Sequence, residues 1–526
     1  MRGLNSALLL VMLAAGAAML WWTQQQGGVP YVGNDAYQYL DAASHIASGQ
    51  CACGEVAHFD EQVSYGRMPV PFTHFPPGYP VLIALVQQLG VGPETGAYIV
   101  SIIGFLGVLV LLFDIALQLG ASPWVTAAFS ALWAGHAAAV SSGASVGTEA
   151  IFTAVLMLFA AAMVRDLRAA GARPWLLLCI AAAAPAAYWI RQAGLFLVPV
   201  GGAYLAWRWW QTRTARSWAL GGLALTALLT GSLQLRNVIY TGSWRGGFNS
   251  GASHSVRYVL VETAKAVYHL VFGDRVVARF DIWSIVFLLS AAAVVWFTAQ
   301  AWRRQKSSGP TLLQFAWPTL IVLVFSAGVM AAALVSIAAD FTRYYLPVYP
   351  LVLALASAAF CQVPVAMPRA VSLYVCLGAV AAIQSRSLVT ARPDPPHVDM
   401  LRRLNAEVPP VGPLRSWLLA QLGPQDSVFA VHGQAVQYVL KRPVVSMIEP
   451  EYSGRTADEA FIHQQMTTFR SRYMLLFPSL PAETSLEQSA NPFLNTLASG
   501  AEPPAWLTAV GRTRDVAVFE CRSCAP

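Results

Sequence analysis

Apolar segments long enough to cross a membrane recur along most of this chain, and they constrain its fold more than any other feature. A membrane-spanning helix needs about 20 mostly apolar residues. Segments of this kind occupy residues 4–22, 97–119, 123–140, 147–164, 174–190, 193–210, 218–238, 281–301, 312–338, 344–361 and 367–386. The sequence therefore predicts an α-helical polytopic membrane protein with about eleven transmembrane helices.

Composition agrees with this prediction and excludes one class of partner. Only 11% of the residues are charged, whereas about a quarter are charged in a soluble domain. The net charge of +7 does not indicate nucleic-acid binding, because most arginines lie at the ends of apolar segments, as membrane topology requires. The first segment ends in Trp21 and Trp22 and is longer than the apolar core of a signal peptide, so we interpret it as a retained helix.

The basic residues of the short loops predict the orientation in the membrane. They fall on the same side as Arg2, which the positive-inside rule makes cytoplasmic. These residues are Arg165, Arg168, Arg173, Arg208, Arg213, Arg216, Arg303, Arg304, Lys306 and Arg369. The orientation puts loops 23–96 and 239–280 outside, together with everything after residue 387. We therefore predict a transmembrane domain over residues 1–386 and an extracytoplasmic domain over residues 387–526.

The region after residue 387 has the pattern of a small α/β domain. It opens on a proline-rich linker, RPDPPHVDM, and then alternates short apolar runs such as SVFAVHG and YMLLFP with polar helical stretches. Four cysteines, in the pairs 51/53 and 521/524, suit an oxidising compartment. Disulfides within or between these pairs, free thiols and a zinc site are the alternatives, and the compartment argues against zinc.

Chemistry is expected just after the first helix, in the stretch YVGNDAYQYLD at residues 31–41. Its apolar positions suit an amphipathic helix on the membrane surface. Asp35 could cap that helix, or it could be a general base that takes a proton from a hydroxyl nucleophile. Further along the loop, prolines stiffen FPPGYP at residues 75–80, and His74 lies at this turn.

Six stretches in this order give the chain a resemblance to a known family. They are GNDAYQYLDAASHIASG, THFPPGYPVLIALVQQLG, TEAIFTAVLMLFAAAM, WIRQAGLFLVPV, RNVIYTGSW and RYYLPVYPLVLAL. Together they resemble the GT-C glycosyltransferases, in particular the bacterial relatives of the protein O-mannosyltransferases and the lipid A aminoarabinose transferases. The resemblance extends over roughly residues 1–390 and implies the GT-C fold for the transmembrane domain.

The resemblance also implies a reaction and a catalytic base. Members of this family transfer a sugar, with inversion, from a polyprenyl-phosphate donor to an acceptor outside the membrane. An acid in the first external loop is their base, often the first of an Asp-Glu pair. Alignment on Ala36 and Tyr37 puts Asn34 at the first acid and Asp35 at the second. Because relatives with a single aspartate here also exist, we predict that Asp35 is the base. If the catalytic place is that of Asn34, Asp35 would have to reach across or Glu149 would have to substitute.

Arginines are the predicted site of the donor phosphate, because guanidinium groups bind such oxygens bidentately. Arg191, Arg236 and Arg343 all lie at the outer ends of predicted helices, where few basic residues are expected. Snorkelling to the interface is the alternative for each one. Five further residues are candidates for the substrate pocket: Asn34, Tyr37, His74, Glu149 and Asn237. Glu149 could instead favour the N-terminal dipole of its helix, or it could hold an acceptor, a metal or an arginine.

The sequence thus predicts an inverting glycosyltransferase in the bacterial inner (plasma) membrane, with a cytoplasmic N-terminus and a periplasmic C-terminal domain. Its expected partners are the bilayer, a polyprenyl-phosphate sugar donor and a glycan, lipid or protein acceptor. No cofactor is implied and no metal ligands are assigned, although the family leaves room for a divalent cation. The alternatives are a transporter or lipid flippase, which would place charges near the bilayer midplane in repeated halves, and a non-catalytic membrane protein that handles a polymer.

Overall fold

The computed structural model confirms a multi-pass, predominantly helical membrane protein. It describes residues 2–27, 31–57, 64, 66–169, 173–247, 254–272, 312–335, 341–362, 396–446, 458–480 and 491–524. The predicted helices at 281–301 and 367–386, and residues 392–395 of the predicted linker, lie outside these ranges. Residues 396–400 of that linker are helical, so this part of the prediction was wrong. Within them, six helical segments are long and apolar enough to cross a membrane.

The helices of the membrane part follow the predicted segments closely. In chain order they are α1 (Arg2–Gly27), α2 (Asn34–Ala47), α3 (Gly78–Gln87), α4 (Pro93–Gln118), α5 (Pro123–Ala134), α6 (Ala137–Gly143), α7 (Glu149–Arg168), α8 (Pro174–Ile190), α9 (Leu197–Gln211), α10 (Arg216–Thr241), α11 (Val256–Phe272), α12 (Leu312–Ala333), α13 (Phe341–Tyr345) and α14 (Tyr349–Gln362). The six segments long enough to span contain α1, α4, α7, α10, α12 and the pair α13–α14.

Some helices differ from the hydropathy pattern for local reasons. The segment 123–140 is two helices, because the chain leaves α5 at Gly135 and His136 caps α6, its imidazole Nδ1 accepting from the backbone N–H of Ala139 at 3.3 Å. The external loop predicted at 239–280 contains the end of α10 and the whole of α11. Helix α3 was not predicted either, because ten residues are too short to register as a span.

Helices α4 and α7 pack against each other, and more than half of each is buried inside the protein. Gly104 of α4 permits their close approach, since a Cβ there would lie 2.5 Å from the backbone nitrogen of Ile151. This contact fixes the first turn of α7, where Glu149 lies. The small residue at the crossing is typical of helix packing in membranes.

The C-terminal region is an α/β domain, as predicted. Its helices are α15 (Pro396–Leu404), α16 (Leu414–Gln421), α17 (Gly433–Leu440), α18 (Glu459–Thr468) and α19 (Pro492–Ser499). The central strands Ser427–Ala430, Val444–Ser446 and Ser471–Leu476 are parallel and almost wholly buried, as strands covered on both faces must be. Strands Ala517–Cys521 and Leu507–Arg512 extend the sheet antiparallel on one side.

The other edge of this sheet comes from the first external loop. Val56–Ala57 pairs in parallel with Val444–Ser446, so residues about 390 positions apart in sequence complete one sheet. The disulfides join Cys51 to Cys53 in this loop and Cys521 to Cys524 in the domain. The C-terminal domain is therefore attached to the loop that carries Asp35.

Asp41 of α2 lies in this attachment and predicts a dependence of stability on pH. Its Oδ2 accepts from the backbone N–H of Glu55 at 2.5 Å and its Oδ1 from Gln437 Nε2 at 3.2 Å. Burial raises the pKa of this carboxyl to about 6, against the lowering influence of the Glu55 N–H and His45. The folded protein therefore holds a proton that the unfolded chain releases, and stability falls as the pH rises from about 4 to above 6.

Asp41→Asn should remove this dependence. We expect a gain of roughly 2 kcal/mol in the free energy of unfolding at pH 7.5, and little change at pH 4.5, because the amide carries no charge to desolvate. Thermal unfolding of the two proteins in nanodiscs, followed by tryptophan fluorescence across this pH range, measures the difference. Asp399→Asn, at an acid of α15, is the matched control. If the stabilities of wild type and Asp41→Asn differed by the same amount at all pH values, the prediction would be contradicted.

Candidate active site

A two-residue parallel bridge brings the starts of α2 and α7 together. Tyr31–Val32 pairs with Ser145–Val146, with Val32 opposite Val146. Asp35 follows Val32 by three residues and Glu149 follows Val146 by three, and each acid lies in the first turn of its helix. The bridge therefore places two acids from distant parts of the chain side by side.

Two arginines reach these acids from breaks in other helices. Arg191 is the residue at which the chain leaves α8 in an extended conformation, before the 3-10 turn Gln192–Phe196. Arg343 lies in the short α13, which a proline-containing 3-10 turn separates from α14. Because both are outside long helices, their side chains can turn toward the same point.

Glu149 is the centre of the resulting network. Its side chain is only 9% exposed, and its Oε1 accepts from Arg191 Nη1 at 2.5 Å and from the Nε of Arg343. Arg191 Nη1 also donates to the hydroxyl of Thr148 at 3.2 Å, and its guanidinium lies 5.0 Å from the centre of the Tyr344 ring. Of the roles considered for Glu149, holding arginines is the one that these contacts support.

Asp35 joins the network through Arg343 and remains accessible. Arg343 Nη1 lies 3.3 Å from Asp35 Oδ2, so one guanidinium bridges the buried glutamate and the outer aspartate. The Asp35 side chain is 42% exposed, and the N-cap position of α2 is occupied by Gly33. An exposed carboxylate beside a guanidinium can exchange that partner for an incoming group.

Tyr39 is a residue of this site that the sequence reasoning missed. It lies one turn after Asp35 on the same face of α2, buried against the rings of Phe72, Phe75 and Tyr79. Burial raises the pKa of the Tyr39 phenol well above its usual value, and the Asp35 carboxylate raises it further. The phenol is thus a neutral hydroxyl one helical turn from Asp35. Its i+4 spacing from Asp35 was the available signal.

The other predicted residues lie around this network in different ways. Arg236 donates to the carbonyl of Phe72 at 2.5 Å and to Asn237 Oδ1 at 3.3 Å, while Asn237 donates to the carbonyl of Trp244. The carbonyl of His74 accepts from Gln192, next to Arg191, at 3.2 Å. Arg236, Asn237 and His74 therefore shape the loop that borders the site, and these contacts do not bring Arg236 to Glu149.

Tyr37 and Asn34 complete the set. The Tyr37 side chain points to the opposite side of α2, where its hydroxyl meets His397 of the C-terminal domain. Asn34 is the first residue of α2, and its side chain lies outside the described part of the structure. Within the described ranges, one group, His463 with Cys521 and Cys524, has metal-ligand spacing, and its two cysteines are joined in a disulfide.

Fold and site together define a multi-pass membrane protein with a carboxylate–arginine cluster next to a C-terminal α/β domain. More particularly, the chain has the fold of the GT-C superfamily of membrane glycosyltransferases. No protein-family model and no curated protein matches the sequence. The fold is recognised from solved structures of low sequence identity.

Three of these structures show the extent of the likeness. ArnT from Cupriavidus metallidurans in the apo state covers 99% of this chain and 99% of its own, with a TM-score of 0.58 and 13% identity. The archaeal oligosaccharyltransferase AglB from Archaeoglobus fulgidus, in complex with an inhibitory peptide and a dolichol-phosphate, covers 90% and 69%, with a TM-score of 0.54 and 10% identity. The arabinofuranosyltransferase AftD from Mycobacteria covers 97% and 41%, with a TM-score of 0.52 and 14% identity.

Proposed function

We propose that this protein is an inverting glycosyltransferase that moves a sugar from a polyprenyl-phosphate carrier to an acceptor on the extracytoplasmic side of the bacterial inner membrane. The observation that carries the proposal is the Arg343 guanidinium, which bridges the buried Glu149 and the accessible Asp35, with Arg191 on the same glutamate. The GT-C fold supports it. So does a second ArnT structure with this fold, which is bound to undecaprenyl phosphate and has a TM-score of 0.56 and 13% identity.

The charges of the cluster suit a lipid phosphate. Among the residues that the structure describes, the carboxylates of Glu149 and Asp35 balance the guanidinium groups of Arg191 and Arg343. Glu149 is buried and holds both arginines, so they stay in place when a phosphodiester arrives. The phosphate oxygens can take the Nη groups of Arg343 from Asp35, because phosphate accepts bidentate bonds from a guanidinium. Donor binding would thus release Asp35 for chemistry.

Asp35 then acts on the acceptor. Glycosyl transfer passes through an oxocarbenium-like transition state and needs a base on the acceptor side and stabilisation of the departing anion. The Asp35 carboxylate takes the proton of the acceptor hydroxyl, whose oxygen attacks the anomeric carbon as the bond to the phosphate breaks. Arg191 and Arg343 stabilise the polyprenyl phosphate that leaves. Attack from the face opposite the leaving group inverts the anomeric configuration.

Comparison of envelope glycans and glycolipids by mass spectrometry tests this function. A deletion strain should lack one sugar substituent, and the wild-type gene should restore it. The unglycosylated acceptor should accumulate together with the sugar-loaded polyprenyl phosphate. Identical glycan profiles with an altered distribution of lipids between leaflets would instead favour a flippase.

Arg191→Ala and Arg343→Ala should weaken binding of the carrier lipid. Each removes a charge-assisted interaction worth about 1.5–3 kcal/mol, so we expect a loss of roughly tenfold to a hundredfold in affinity. Undecaprenyl phosphate, titrated into the purified protein in nanodiscs, is the probe. Arg257→Ala, which removes an exposed arginine of α11, is the matched control. Equal affinity in all four proteins would exclude this cluster as the phosphate site.

A further inference from the structure

Two faces of helix α2 lie against different parts of the protein. Asp35 and Tyr39, one turn apart, face the arginine cluster. Tyr37 lies about 200° around the helix from Asp35 and, together with Asp41, faces the C-terminal domain. The second face takes no part in the proton transfer or in the binding of the donor phosphate.

The hydroxyl of Tyr37 connects three parts of the chain. It accepts from the backbone N–H of His397 at 2.9 Å, and it lies 3.1 Å from the Nδ1 of the same histidine and 3.2 Å from the carbonyl oxygen of Val32. Burial lowers the pKa of His397, so its ring is neutral near pH 7. The Tyr37 ring is fully buried and lies 4.9 Å from that of Tyr438. A phenol so enclosed has little freedom to change partners.

Val32 connects the Tyr37 hydroxyl to the candidate active site. It belongs to the strand that pairs with Ser145–Val146, the bridge that aligns the first turns of α2 and α7. Asp35 follows three residues later. The C-terminal domain, through His397 and Tyr37, thus contacts the backbone that sets the position of the Asp35 carboxylate relative to Arg343 and Glu149.

Close packing covers only part of this side of α2, at the rings of Tyr37 and Tyr438. A pocket of about 450 Å³, lined by Tyr37, Asp41, Ser44, Tyr438 and Lys441 among others, lies between α2 and α17 beside these rings. Polar contacts also connect the two helices. Asp41 with Gln437 and Glu55 holds the middle of the helix, and the Tyr37 hydroxyl holds its N-terminal turn.

We propose that Tyr37 is a positioning residue through which the C-terminal domain fixes the first turn of α2, and with it Asp35, against the arginine cluster. The proposal deepens the glycosyltransferase function and rests on it. Tyr37 acts through Val32 and His397 and does not touch the substrate. The C-terminal domain is on this view part of the catalytic apparatus, beyond any role in choosing the acceptor.

We call the hydrogen bonds of the Tyr37 hydroxyl with His397 and Val32 the anchor. Its effect on the backbone of α2 and its effect on sugar transfer can be measured separately. In Tyr37→Phe, hydrogen–deuterium exchange of nanodisc-embedded protein should be about fivefold faster in peptides covering residues 32–40, as expected for the loss of one buried hydroxyl's bonds. The exchange rate of peptides from the C-terminal sheet should be unchanged. Sugar transfer in the complemented deletion strain should fall about tenfold to a hundredfold, because a small misplacement of a catalytic group is costly. Binding of undecaprenyl phosphate should stay at the wild-type level.

Two further variants sharpen the result. His397→Ala removes the imidazole and keeps the backbone N–H that donates to Tyr37. Exchange at residues 32–40 should therefore become faster, and sugar transfer slower, by less than in Tyr37→Phe. Tyr438→Phe loses a hydrogen bond from the same interface to Glu94 of α4 (2.6 Å). Exchange at residues 32–40 and sugar transfer should be unaffected by this substitution.

Unchanged exchange at residues 32–40 in Tyr37→Phe would refute the anchor. Faster exchange with full transfer would refute the positioning role. Failure of the wild-type gene to restore any glycan would refute the glycosyltransferase function, while the exchange data would still decide the anchor.

Discussion

Replacing Asp35 by asparagine is expected to slow sugar transfer by at least about a hundredfold, the range expected for loss of a general base. Asparagine has nearly the same shape and can still meet Arg343, but it cannot accept the proton of the acceptor hydroxyl. Binding of undecaprenyl phosphate should not weaken, and it should improve slightly, because the arginine loses a competing carboxylate. Quantitative mass spectrometry of the complemented deletion strain measures transfer, and a titration in nanodiscs measures binding.

Asp41→Asn provides the control for this substitution. Asp41 lies six residues further along α2, on the face opposite the cluster, where it contacts Glu55 and Gln437. We expect it to retain most transfer activity. Full transfer by Asp35→Asn would show that another group takes the proton. Loss of both transfer and carrier binding would mean that Asp35 supports the site structurally.

Replacing Glu149 by glutamine should have the largest effect on stability. The substitution leaves Arg191 and Arg343 without the carboxylate that both contact, and an uncompensated buried charge costs about 3–5 kcal/mol. We expect a cost at the lower end of this range, because the Arg343 side chain is 38% exposed and keeps its contact with the Asp35 carboxylate. The melting temperature in nanodiscs should therefore fall. Undecaprenyl phosphate should bind more weakly, since both guanidinium groups lose their orientation.

A partly exposed ion pair is the matched comparison for Glu149. Glu262 and Lys265 pair at 2.6 Å on α11 with exposed fractions of 25% and 44%. Glu262→Gln should change the free energy of unfolding by less than about 0.5 kcal/mol, as for other surface pairs. Equal melting temperatures for Glu149→Gln and Glu262→Gln would contradict the central place of Glu149 in the network.

Much of the fold could be predicted from the sequence because hydropathy reports directly on burial in a bilayer. Long segments such as α4, α7 and α10 lie close to where the apolar runs predict them. The pairing of Val56–Ala57 with Val444–Ser446 could not be foreseen, since a two-residue strand has no periodicity and its partner is far away in the chain. For the same reason the first external loop gave no sign that it completes the C-terminal sheet.

The site was predictable in part. Arg191 and Arg343 attract notice because basic residues are rare at that end of the bundle, and the structure brings both to Glu149. Arg236 satisfies the same criterion, yet it contacts a backbone carbonyl in the neighbouring loop. Which arginines converge depends on where helices break, and hydropathy does not resolve such breaks. Tyr39, by contrast, was not predicted, although its i+4 spacing from Asp35 could have been read from helical geometry.

A structure of the protein in nanodiscs with undecaprenyl phosphate bound would show whether Arg191 and Arg343 hold the carrier phosphate beside Asp35. We predict phosphate oxygens within about 3 Å of the guanidinium groups of Arg191 and Arg343, the distance of a charge-assisted hydrogen bond. Arg343 should then have left Asp35, whose carboxylate should border an open path to solvent. A phosphate bound elsewhere, with Arg343 still bridging Asp35 and Glu149, would exclude this cluster as the donor site.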